Sequence, residues 1–482
     1  MAKFDETPII QDPAKEGVLA PPPIREHASV DVRCYPGKAK DHKAIDIPEE
    51  RVPDWQEKGI AKLGELLEKN KALRVFLDIC VRCGACADKC QFYLGTGDPQ
   101  NMPVARAELL RQVYRRYFTL GGRIMPGLSD AADFDEEMLE KWYTYFYQCS
   151  ECRRCSVFCP YGIDTAEITI AAREIMTSIG VATKYVTEVV AKVYETGNNL
   201  GIPRAAWIDN CEFLEEDVEE ETGILFPFPV DVEGADVLLV PPSADNFANV
   251  DTMIGYAKLF HFLGISWTTS TYCNEGGNFG LFLNFHNLKK VNKRIIDAAR
   301  MLNVKTIIWG ECGHAWRGGV LTPTLNGPMD MFDPPYPYHI SQFMVDMMRR
   351  GAFDGKLDKS ANDEYVVTYH DPCNPARAGQ LIEEPRQLLH ACCNHFVEMP
   401  ADTIREKTYC CGAGGGLLTD EVMAIRMAGG KPRALAVKHV GANYLATICA
   451  ICKAQFPEAM KYWDVPVQVG GVIDLFTNAI KW

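Results

Sequence analysis

Three stretches of the chain repeat apolar residues at the i, i+3, i+4, i+7 spacing of a helix with one buried face. They are "EKGIAKLGELLEKNKALRVFL" from Glu57, "VARAELLRQVYRRYF" from Val104 and "DEEMLEKWYTYFY" from Asp135. They predict a mostly helical domain over residues 56–200. From Ala235 the pattern changes, and short β-rich runs alternate with helical ones. "ADVLLV", "ISWTT" and "KTIIW" form one set, and "EYVVTY", "HFVEM" and "NYLATI" form another. Strands spaced by helices imply βαβ units and a parallel sheet. Residues 1–55 hold eight prolines and little periodicity. They read as an extended arm, either a disordered tail or a strap along a partner subunit. Residues 201–234, with "CEFLEEDVEEETGILFPFPVD", read as an acidic linker.

The two β/α sets align with each other. Placing "TYCNEGG" at Thr271 over "TYCCGAG" at Thr408 puts Cys273 on Cys410 and, 39 residues on, Cys312 on Cys449. Ser243 of "VPPS" falls on Cys373 of "HDPC". This predicts two pseudo-symmetric α/β repeats, at 235–345 and 346–482. The second carries Cys373, Cys410, Cys411, Cys449 and Cys452; the first has Ser243, Cys273, Asn274, Cys312 and Ala315 at the same places. With two thiols of five, the first copy reads as one that has lost a metal site or never had it. The fold class expected is α followed by α/β.

Composition narrows the chemistry. A net charge of −14 disfavours nucleic-acid binding, which needs a basic stripe. No apolar run reaches the ~18–20 residues that span a bilayer. "MAKFDETPII" has no signal-peptide pattern, so a cytoplasmic protein is expected, placed on the inner face of the cell membrane through partner subunits. Nineteen cysteines in a reducing compartment point to metal rather than to disulfides.

"CVRCGACADKC" supplies Cys80, Cys83, Cys86 and Cys90, and "CSECRRCSVFCP" supplies Cys149, Cys152, Cys155 and Cys159. Both are C-x2-C-x2-C-x3-C, the bacterial [4Fe–4S] spacing, in which the fourth cysteine usually ligates the other cluster. One cubane is therefore expected on Cys80, Cys83, Cys86 and Cys159, and another on Cys149, Cys152, Cys155 and Cys90. Paired zinc knuckles would leave the third cysteine of each run unexplained. Gln91 stands where proline usually follows the fourth cysteine, which weakens that turn. Arg82, Lys89, Arg153 and Arg154 flank the motifs, either raising cluster potentials or serving as solvated charge.

The helical insertion between the motifs resembles the α-helical ferredoxin domain of succinate dehydrogenase and heterodisulfide reductase. The set Cys373, Cys410–Cys411–Gly412, Cys449 and Cys452 resembles the cysteine-rich "CCG" domain of heterodisulfide reductases. That resemblance implies a non-cubane [4Fe–4S] cluster on these five thiols, with glycines letting backbone approach the sulfides. Cys392–Cys393 lies on a helical run and lacks the glycine, so it reads as core packing; Cys34 and Cys211 read as isolated thiols. His370, Asp371 and Lys453 beside these cysteines, and His314 beside Cys312, are either proton donors or structural hydrogen-bond partners.

Over residues 60–482 the order of motifs is similar to the HdrD component of heterodisulfide reductases, and most like the DsrK group of the sulfite-reduction-associated membrane complex. The resemblance implies a catalytic iron–sulfur oxidoreductase docked on a membrane subunit carrying b-type haem. It would pass electrons between menaquinol and a disulfide or trisulfide on a small cysteine-tailed, DsrC-like protein. A lactate or glycolate oxidase subunit, or a reductase of a small-molecule disulfide, is the alternative. The residual Cys273 and Cys312 would line either a substrate entrance or only the core.

Overall fold

The computed structural model describes residues 23–321 and 338–482. Residues 1–22 of the expected arm, and the segment between the two described stretches, lie outside them. The described chain forms two compact units. The first comprises the described residues up to Ala191 together with Gly280–Asn287 and Tyr409–Leu435. The second comprises Lys192–Phe279, Leu288–Thr408 and Ala436–Trp482.

The first unit is helical. Its core is built from residues that the helical period places on one face, such as Leu63, Leu66 and Leu67, or Leu110, Val113 and Tyr114. The run from Glu57 breaks into two helices, Trp55–Lys69 and Lys71–Asp78, because Asn70 turns out of the helix and its side chain accepts the Leu73 N–H. Helix Pro103–Phe118 starts on a proline, whose missing N–H costs nothing at that position. Asp135 and Asp164 cap the helices Glu136–Phe146 and Thr165–Ser178. Residues 23–55 do not stand apart from this unit. Cys34 belongs to its core, and Ser29 donates to Asp98.

The second unit holds two parallel sheets over one continuous core. The first has the order β2-β1-β3-β4, with β1 Val237–Val240, β2 Trp267–Thr268, β3 Thr306–Trp309 and β4 Tyr338–His339. The second has the order β5-β6-β7, with β5 Val367–Tyr369, β6 Tyr444–Ala446 and β7 Gln468–Gly470. Of "HFVEM" only Phe396 bridges in parallel, to Val367 of β5 on the side away from β6. β1 is buried at all four residues, as a strand covered on both faces must be.

The stretch that reads as an acidic linker is a 19-residue helix, Arg204–Thr222. Trp207, Cys211, Leu214 and Val218 form a buried stripe along it, and the acidic residues take the outer face. The many carboxylates hid this narrow apolar stripe. Among the described residues no helix is long and apolar enough to cross a membrane.

Candidate functional site: clustered thiols in both units

The two ferredoxin-type runs form loops with the same backbone in the first unit. Arg82 and Gly84 in one, and Glu151 and Arg153 in the other, are left-handed at corresponding places, with φ of 55°, 77°, 53° and 63°. Such alternation turns successive N–H groups toward one side, the arrangement in which anionic clusters are cradled. Non-glycine residues reach these angles only if held. Glu151 pairs with Arg173 at 3.0 Å, and Arg153 with Asp164 at 2.9 Å and with Glu167.

Each loop opens on a cavity. One is lined by Cys80, Cys83, Cys86, Cys155 and Cys159, and another by Cys90, Cys149, Cys152 and Cys155. In both, three thiols of one run meet the fourth of the other, and Cys155 borders both. All nineteen cysteines of the chain are free thiols. Burial pushes Cys86 up to about 11, and the charges of Cys159 and Cys80 add to that. Thiols that repel one another's ionised form in a small cavity suit a cationic metal core, so the donor set fits iron–sulfur clusters.

Buried cations line these cavities, and sequence reading singled out Arg154 among them but not Arg106 and Arg111. Arg111 faces the first. Arg106 faces the second, where it donates to the Tyr145 carbonyl at 2.8 Å and to Asn101 Oδ1 at 2.7 Å. Asn101 in turn donates to Ser29 Oγ and Gln148 Oε1. Burial acts against the Arg106 charge, but Cys149 and Cys90 outweigh it and hold the guanidinium above its ordinary range. Gln91, the substitute for proline, donates to Cys152 Sγ at 3.6 Å and Ser150 Oγ at 3.3 Å, so it feeds the cluster loop rather than merely loosening a turn. Of the flanking charges, Arg82 pairs with Glu108 and Asp130, and Lys89 with Asp88; Arg154 is buried and stacks over Tyr409 at 3.7 Å.

Tyr409 opens the vicinal-cysteine loop, which belongs to this first unit. A Cβ on Gly415 would lie 2.7 Å from the Cys149 carbonyl oxygen and 2.8 Å from Ser150 Cα. Arg173 ties the two loops, donating to Gly415 O and to Cys149 O, each at 2.8 Å. Gly415 is thus bare because it lies against the second cysteine loop, while a Cβ on Gly412 would lie 2.6 Å from the Arg426 carbonyl oxygen and one on Gly416 2.4 Å from Val186 Cγ2. Gly412 N donates to Cys410 Sγ at 3.5 Å. The buried Arg426 guanidinium, lowered by burial, feels the charges of Asp420 and Cys411.

In the second unit the remaining thiols follow strands. Cys373 lies beyond β5, and Cys449 beyond β6 caps the helix Ala450–Tyr462, whose first turn carries Cys452. His370 Nε2 lies 3.5 Å from Cys452 Sγ. Asp371 faces away from chemistry, in a bidentate pair with Arg386 at 2.7 and 2.8 Å. Lys453 is buried with Thr252 at 2.8 Å, Asp245 at 3.3 Å and Glu311 at 3.4 Å. Burial opposes its ammonium, yet those carboxylates hold it above the ordinary lysine range.

The residual cysteines part company. Cys312, beyond β3, comes against Cys449 together with His314. Hydrogen bonds from Cys312 and Cys452 hold Cys449 well below the ordinary thiol range against burial, and His314 adds to them. Cys273 is not in that group. Burial pushes its thiol up to about 11, and its neighbours include Glu275 and Arg294. Ser243 bonds Glu275 Oε2 at 2.5 Å, and Glu275 also accepts the Asn199 and Gly277 N–H groups. These residues form a hydrogen-bonded polar cluster centred on Glu275, close to Cys273 in sequence. Cys392 and Cys393 are buried core residues with their sulfurs 3.6 Å apart, and Cys34 and Cys211 are likewise buried.

Residues 76–163 match the family model "4Fe-4S dicluster domain", and residues 367–457 match "Cysteine-rich domain", the CCG family. The chain is 43% identical to the "Hdr-like menaquinol oxidoreductase iron-sulfur subunit 2" of Archaeoglobus fulgidus, over 92% of this chain and 85% of that one. The chain belongs to the family of Hdr-like iron–sulfur subunits. A second member, from Archaeoglobus profundus, is 42% identical over 89% of this chain and 84% of its own. The D component of the "Dihydromethanophenazine:CoB--CoM heterodisulfide reductase" of Methanosarcina mazei is 24% identical over 84% of this chain and 94% of its own. Membership makes this subunit an iron–sulfur oxidoreductase of the heterodisulfide reductase-like kind.

Proposed function

We propose that this subunit is the catalytic, cytoplasmic-face component of a membrane-bound respiratory complex, passing electrons between a menaquinol-linked b-haem partner and a protein disulfide or trisulfide of the DsrC type. The observation that carries this reading is the packing of the Cys410–Cys411 loop on the Cys149–Ser150 loop through Gly415. It sets the thiols proposed for disulfide chemistry beside those proposed for electron relay. We assign Cys80, Cys83, Cys86 and Cys159 to one cubane and Cys90, Cys149, Cys152 and Cys155 to the other. Cys373, Cys410, Cys411, Cys449 and Cys452 are assigned to a third, non-cubane cluster. When bound, these groups supply one-electron transfer and a place for a substrate sulfur at iron.

The net reaction consumes two electrons and two protons for each sulfur–sulfur bond broken, releasing two thiols. The chain's own part is to hold charge and move protons. Arg106 and Arg111 offset the negative charge of the cubane sites in a medium where that charge is costly. His370, 3.5 Å from Cys452, is placed to hold a proton for a departing thiolate. Lys453 is committed to its carboxylates and acts as a positioning residue. The shared strand order of the two sheets supports reading residues 235–345 and 346–482 as diverged copies.

Anaerobically purified protein should carry about twelve irons and as many labile sulfides. Cys411→Ala should fall to about eight irons and lose viologen-driven reduction of a DsrC-type disulfide. A wild-type content near eight, or full activity in the variant, would overturn the proposal.

A further inference from the structure

The turn Glu311–Arg317 comes from the half of the second unit that has lost its thiol set. It is nonetheless stitched to both cysteine loops of the other half. Ala450 N donates to the Glu311 carbonyl at 3.0 Å, next to Cys449. Arg317 donates to Asn374 Oδ1 at 3.1 Å, next to Cys373. Between these ties, a Cβ on Gly313 would sit 2.5 Å from Pro375 Cδ, so the turn lies flush on the loop that follows Cys373. Cys312 and His314, on either side of Gly313, are thereby presented to Cys449. A sulfur of Cys312, a ring nitrogen of His314 and the sulfur of Cys449 all lie within 4.8 Å of one another, and all three residues are buried.

Two thiols and an imidazole are a soft three-donor set. Around one ion, with metal–sulfur bonds of about 2.3 Å and metal–nitrogen bonds near 2.0–2.1 Å, such donors stand about 3.5–3.8 Å apart. The observed set needs adjustments of only about 1 Å to meet that. A buried trio of this kind, held by a backbone hydrogen bond on one side and a side-chain hydrogen bond on the other, is a preorganised site rather than chance packing.

We propose that Cys312 and His314 are metal ligands acting with Cys449, so that residues 235–345 supply an imidazole and a thiolate to the iron site proposed at Cys449. This rests on the reading of Cys449 as an iron–sulfur ligand. It assigns the residual thiol a role other than lining an entrance, and it gives His314 a role of its own.

The test is pulsed electron paramagnetic resonance of the full-length, cluster-loaded protein, natural and with 15N-labelled histidine. A directly coordinated histidine nitrogen should appear as a hyperfine coupling that changes on labelling. It should vanish in His314→Ala and persist in His370→Asn, and Cys312→Ser should shift the signal's g values. A third-cluster signal without nitrogen coupling, or with coupling that survives His314→Ala, would overturn the inference and leave the proposed function standing. If the wild type holds only the two cubanes, the proposed function falls instead. Cobalt(II) added to the same chain then decides the inference: thiolate-to-cobalt bands that are lost in His314→Ala uphold it, and their absence in the wild type ends it.

Discussion

Gly415 shows what one residue can fix. Its φ of +69° and the Cys149 carbonyl 2.7 Å from its would-be Cβ leave no room for a side chain. Gly415→Ala should cost at least about 1–2 kcal/mol from the left-handed backbone alone. It should also perturb the Cys149-loop cluster selectively, which its spectrum would report. Gln91 makes a finer adjustment. Hydrogen bonds to cluster sulfurs raise potentials, so Gln91→Leu should lower the midpoint potential of the cubane proposed on the Cys152 side, measured by redox titration. An unchanged potential would mean that the amide does not act on the thiol. Glu275 offers a pH test. Burial raises its carboxyl to about 7, while the unfolded chain titrates near 4.5. The folded state thus binds more protons in that window, and stability falls as pH rises through it. Glu275→Gln should flatten urea-unfolding stability between those pH values by up to about 1.4 kcal/mol per pH unit.

Elements were legible where an apolar pattern stood out from its surroundings. The 3.6-residue period places the helices Pro103–Phe118 and Glu136–Phe146, and the apolar runs mark β1, β3, β5 and β6. β4 and β7 are no shorter than β2, β5 and β6, but they lie in the proline-interrupted runs "PPYPYHI" and "VPVQVG", and each pairs with a neighbouring strand, β3 and β6. The helix Arg204–Thr222 was obscured by its charge. Its stripe is nonetheless anchored, since Trp207 is fully buried; Trp207→Ala should cost about 3–5 kcal/mol, read from chemical denaturation of the whole chain. The loop after β5 is anchored differently, by the Asp371–Arg386 pair. Removing one charge from such a buried pair costs about 3–5 kcal/mol, and Asp371→Asn should show it.

At the scale of the molecule, cysteine spacing announced the donor sets because ligand loops are local. Sequence could not announce which distant residues serve them. Arg106, Arg111 and Arg173 reach their thiols only through tertiary packing, and Cys312 parts from Cys273 only once the strands are placed. Chain topology has a last consequence, for how the protein is made. The chain passes between its two units five times, after Ala191, Phe279, Asn287, Thr408 and Leu435. No single cut yields either unit intact, so truncation cannot isolate a minimal electron carrier. During synthesis the helical unit begins first but cannot close until the ribosome has passed Leu435. Most of the residues Lys192–Thr408 of the second unit are translated in the meantime, so the loop that carries Cys410 and Cys411 joins the helical unit only after them.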